Sequence, residues 1–158
     1  MKTLADAFHH TLQDVYFAEH AITKALPKVI SAVSSKDLKD ALKAHLAETK
    51  TQITMLDRVF TSIGEEASGE KCEAIEGLIR ECDGIIAEAT GKPARHAALI
   101  GACQAIEHYE IARYGTLREW AKALGHDEAH ALLSKILDQE KKANHSLTHL
   151  AVTSINQA

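Results

Sequence analysis

The chain has 158 residues and a net charge of −4, is 46% apolar and 25% charged, and carries only two prolines and eight glycines. That length fits one domain, residues 1–158, with a real core, and a composition rich in Ala, Leu, Glu and Lys favours helices over strands. No basic stripe argues for nucleic acid, and no apolar run approaches the ~20 residues of a membrane span.

The first helix is expected from about Leu4 to Val33. Phe8, Leu12, Val15, Ile22, Leu26 and Val29 recur at three- and four-residue steps, as one face of a helix does. Pro27 lies inside the pattern and is expected to kink the helix. The acids and histidines of the first turns do not fit a signal or transit peptide. "SSKD" at Ser34 to Asp37 caps and restarts the chain. A second helix then runs to Ile63, with Gly64 as its stop.

"EKCEAIEGLIRECDGIIAEAT" reads as one short helix, interrupted by glycines, that carries the chain across the bundle. Thr90, Gly91 and Pro93 mark a turn and a new start. The third helix extends to Leu124 and ends at Gly125. Asp127 is expected to cap the fourth, which reaches about Ile155. Two long helices, a crossing segment and two more long helices give an all-α, ferritin-like four-helix bundle with one long crossover. The three cysteines, Cys72, Cys82 and Cys103, lack metal-type spacing and fit free thiols in a reducing cytoplasm.

Each long helix carries a glutamate on its apolar stripe. Glu19 follows Val15 by four and precedes Ile22 by three. Glu48 shares a face with Ala41, His45, Met55 and Val59. Glu107 lies four after Cys103 and four before Ile111. Glu140 follows Ile136 by four. All four fall near the expected helix midpoints, which meet at one level in an antiparallel bundle. Clustered buried carboxylates are costly unless protonated or balanced by cations, and two divalent metal ions balance four of them.

Around this set stand further candidates. Glu110 is a fifth carboxylate, either an exchangeable ligand or a neighbour. His45, one turn before Glu48, is expected to bind metal, to orient Glu48, or to serve only as a histidine hydrogen-bonded in the core. Gln52 and Asn144, each four after an acid, are expected either beside the ligands or in helix-surface hydrogen bonds, and Tyr16 and Tyr114 either within reach of a metal-bound group or in the core with the hydroxyl on a carboxylate. Histidine pairs at 126/130 and 145/149 read as solvated faces.

"LQDVYFAEHAI", "HLAETKTQI", "IEHYEIARYGTL" and "DQEK" together resemble the YciF/YciE family of bacterial ferritin-like stress proteins. The resemblance spans essentially the whole chain. It implies a di-metal centre related to that of rubrerythrin, a homodimer and a role in stress. The sequence departs from the usual di-iron pattern. At Glu-x-x-His spacing, Glu48 is followed by Thr51 and Glu140 by Ala143. A site poor in nitrogen suits oxygen-preferring iron or manganese, and also magnesium. The expected chemistry is reaction with peroxide or oxygen, using an external reductant. The rivals are an iron-storing mini-ferritin and a non-enzymatic helical dimer that binds a partner under stress. No nucleotide loop, hydrolase arrangement or CxxC relay is present.

Overall fold

The computed structural model describes residues 1–157, most of them helical. Five α-helices occur in chain order: α1 Leu4–Ala32, α2 Lys36–Ser62, α3 Glu73–Glu88, α4 Lys92–Ala123 and α5 Asp127–Thr153. A 3₁₀ turn follows at Ile155–Gln157. Among the described residues there is no strand. No helix is long and apolar enough to cross a membrane.

Local chemistry sets the ends. Thr3 and Asp6 form a capping box that satisfies free N–H groups at the start of α1. Ser35 caps α2 through the Leu38 N–H. Gly64 and Gly125, with φ of 76° and 75°, turn the chain after α2 and α4 in the left-handed region that glycine enters without strain. Pro93 sits in the first turn of α4, where its missing N–H costs nothing. α1 continues through Pro27. Two expectations are corrected. α3 is one continuous helix through Gly77 and Gly84 rather than an interrupted one, held by its packing on α4 and α1. Asp127 does not cap α5. It is the first helical residue, and it and Glu128 complement the positive helix end from inside the first turn.

The four long helices pack as a ring: α1 on α2, α2 on α5, α5 on α4, and α4 on α1. α3 lies outside the ring against α4 and α1. The loop that leads to it runs close over α1. Glu70 N–H donates to the Gln13 carbonyl at 3.2 Å. Gly69 lies so near Phe17 that an added Cβ would stand 3.2 Å from its Cα.

The apolar interior comes in two parts. One contains Phe8, Leu12 and Val15 of α1, Leu56 and Phe60 of α2, Leu117 of α4 and Leu133 and Ile136 of α5. The other contains Ile22 and Leu26, Leu38 and Leu42, Leu99 and Ile106, and Leu147. Along each long helix the break between them falls at the middle of the sequence. Glu19, Glu48, Glu107 and Glu140 lie within about one residue of their helix midpoints. A polar layer therefore separates two apolar halves.

Candidate metal centre

Four glutamates are removed from solvent in this layer: Glu19 and Glu140 are 0% exposed, Glu110 1% and Glu107 2%. They come from three helices, α1, α4 and α5. α2 contributes His45, whose side chain is 11% exposed, and fully buried Gln52. His45, Glu107, Glu110 and Glu140 each bring a ligand atom to within 4.8 Å of the others.

The contacts form two pairs. Glu110 hydrogen-bonds to Glu19 across the α4–α1 interface. Glu107 hydrogen-bonds to Glu140 across the α4–α5 interface. A carboxylate pair can do this only by sharing a proton. Tyr114 Oη donates to Glu19 Oε1. Gln52 Nε2 donates to Glu140 Oε1. His45 Nε2 lies 3.3 Å from Glu107 Oε1.

Electrostatics follow from this burial. Desolvation, then the charge of Glu140, pushes Glu19 up to about 8. Desolvation and the bond to Glu140 push Glu107 up to about 11. Glu110 is driven well above the carboxylate range by burial and by Glu19, and Glu140 is raised by burial. Burial lowers His45 to about 4, so its imidazole is neutral at pH 7.

Polar atoms are left over. Glu19, Glu107, Glu110 and Glu140 each keep a buried Oε2 with no partner other than a proton shared among themselves, and His45 Nδ1 has none. Unsatisfied oxygens of this kind are expensive in an apolar interior. Oxygen-rich donors with one neutral imidazole are what a hard divalent cation takes as ligands. The residues fit a metal centre.

Glu48 stands apart from this group. It is half-buried and lines an adjoining cavity of about 220 Å³ between α2 and α5, with His45, Glu107 and Lys142. Its charge acts on both Glu107 and Glu140. Two expected neighbours are not at the centre. Tyr16 Oη donates to Asp57 Oδ1 at 2.8 Å, because three helical residues turn 300° and leave Tyr16 rotated toward α2. Asn144 lies one turn beyond Glu140, and its Oδ1 accepts from Gln104 Nε2 at 3.1 Å. Gln52 and Tyr114 do reach the layer. Cys82 was not singled out for the site, yet it borders it. Its position seven after buried Ile75 on the α3 stripe is the signal that places it inward.

The domain of unknown function DUF892 matches residues 3–158. Protein YciF of Escherichia coli K12 is 44% identical over 99% of this chain and 95% of its own length. The chain belongs to the YciF family. The crystal structure of the E. coli stress protein YciF superposes with a TM-score of 0.95 over 100% of both chains. Another family relative by sequence and fold is YcfI of Rhodopseudomonas palustris, which carries a structural-protein label. It is 48% identical, with a TM-score of 0.91 over 93% of this chain and 94% of its own. A protein of Xanthomonas campestris pv. campestris, 20% identical with a TM-score of 0.73 over 98% and 96% of the chains, shares the fold. The fold that holds the polar layer recurs in these structures.

Proposed function

We propose that this YciF-family chain is a ferritin-like four-helix bundle that holds two divalent metal ions, iron or manganese, and serves in the bacterial stress response. Glu19, Glu107, Glu110 and Glu140 hold them, with His45 as the one nitrogen ligand and Glu48 reaching in from the α2 side. The observation that carries this reading is the set of four fully buried glutamates, between two apolar half-cores, whose Oε2 atoms have no partner outside the set. The stress role is supported by the description of the E. coli relative as a stress protein.

When bound, iron or manganese supplies redox reaction with peroxide or oxygen. The chain's own residues do the rest. Glu107 and Glu110 release the protons they share with Glu140 and Glu19 as ligands are taken up. Tyr114 and Gln52 fix the orientation of Glu19 and Glu140, as supporting donors do in metal sites. The apolar halves keep bulk water out. An external reductant closes the cycle, and the protein works as a homodimer in the cytoplasm, where free thiols persist.

Anaerobic titration of metal-free protein with Mn²⁺ or Fe²⁺ tests the reading. It expects two ions per chain, released protons, and loss of both in the Glu107→Gln/Glu140→Gln double variant. A second reading, a helical dimer that acts without metal, is favoured by the structural-protein label of the R. palustris relative. Retention of function in that double variant would select it.

A further inference from the structure

Cys82 on α3 and Cys103 on α4 face one cavity where their helices pack, and each thiol perturbs the other. Both are free and buried. Both line one cavity, bounded also by Ile22, Leu26 and Ile106 and ending on His45 and Glu107 of the carboxylate layer. About 20 Å³ of it admits the centre of a water-sized molecule. One ordered water needs roughly 10–15 Å³ on this measure. The space therefore admits a species of the size and polarity of water or peroxide. Cys72 is set elsewhere, its Sγ 3.0 Å from Tyr109 Oη.

We propose that Cys82 and Cys103 are a redox-active dithiol that reduces peroxide in this cavity and stores the result as an intramolecular disulfide. The Cys82 sulfur attacks one peroxide oxygen and the O–O bond breaks. Cys82 becomes a sulfenic acid, and the other oxygen leaves as water with the thiol proton. The Cys103 sulfur then attacks Cys82, an S–S bond forms and the S–O bond breaks. The hydroxyl leaves as a second water with the Cys103 proton. Two thiols give up two electrons and peroxide takes them. Cys82 is the attacking thiol because its neighbour holds it below the ordinary thiol range, while Cys82 and burial together raise Cys103. The thiolate is the better nucleophile. A thiol reductant of the small-molecule or dithiol-protein class would reset the pair by exchange.

The experiment uses fully reduced, metal-free protein and one equivalent of hydrogen peroxide, so its outcome is independent of whether the carboxylates bind metal. Intact mass should fall by one pair of hydrogens, and peptide mapping should find Cys82 linked to Cys103 with Cys72 still free. The folded chain should react at least about tenfold faster than the chain in denaturant. In Cys103→Ser, dimedone should trap a sulfenic acid on Cys82. In Cys82→Ser, no cross-link should form, with helicity checked by circular dichroism. Cys82 and Cys103 staying reduced, reacting no faster than Cys72, or pairing with Cys72 would each overturn the proposal. Wild-type mapping alone decides it if a variant fails to fold.

Discussion

His45 Nε2 lies 3.3 Å from Glu107 Oε1, and burial holds that imidazole neutral while it drives the carboxyl into its protonated range. Both groups are thus in the states least costly to bury, and both are donors-in-waiting for a cation. The rest of the layer repeats this logic. Protons occupy, between paired carboxylates, the places where positive charge is needed.

The pH dependence of stability follows with a definite sign. Glu19 and Glu107 are raised in the fold to about 8 and about 11, so the metal-free fold holds protons that the unfolded chain has released. Their contribution is complete below the ordinary carboxylate pKa and declines as pH rises toward those values. His45, lowered to about 4, acts oppositely, but only below its ordinary value of 6.5. Metal-free protein should therefore lose thermal stability between pH 6.5 and 8. Metal-loaded protein should gain it, since the ions displace those protons. Differential scanning calorimetry of both forms across that window checks the opposite slopes.

Glu107→Gln and Glu110→Gln imitate the protonated side chains of the metal-free site. Their melting temperatures without metal should match or exceed that of the parent. Their metal affinity should fall by at least about 100-fold, the upper end of what even a supporting residue costs. Calorimetric titration beside thermal melts separates the two effects. A large loss of stability without metal would show that the layer is not proton-balanced.

Tyr114 and Tyr16 give a matched contrast. Tyr114→Phe removes the donor to Glu19 and should cost about 1–3 kcal/mol of folding stability, and it should weaken metal binding. Tyr16→Phe removes only a bond to half-buried Asp57, and should leave metal binding unchanged. Equal effects on metal affinity would contradict the placement of the two hydroxyls.

The helices were legible because three- and four-residue apolar spacing and glycine stops are local signals, and α1, α2 and α4 end within a residue or two of the expected places. The glutamates were legible for a related reason. A carboxylate on an apolar stripe is an anomaly that one helix displays on its own. What the stripe does not encode is how far each helix is rotated about its axis. That rotation brings Glu110 into the layer, sets Glu48 at its edge, and turns Tyr16 and Asn144 toward Asp57 and Gln104. The contact of Cys82 with Cys103 depends on the path of α3 over the ring, and no periodicity records a path.

Glu48 tests the edge of the site. It is half-buried on a cavity wall and outside the four-residue group. Glu48→Gln should reduce metal affinity less than Glu140→Gln, by roughly 10-fold against roughly 100-fold or more. Titration of the two variants side by side reads the difference.

Whether the buried carboxylate layer is a metal centre is decided by anomalous diffraction on crystals of protein purified from its native host, recorded at the iron and manganese edges. Two peaks per chain are expected among Glu19, His45, Glu107, Glu110 and Glu140. Full-strength diffraction with no anomalous peak in the layer, from protein never exposed to chelator, would contradict the metal-centre reading.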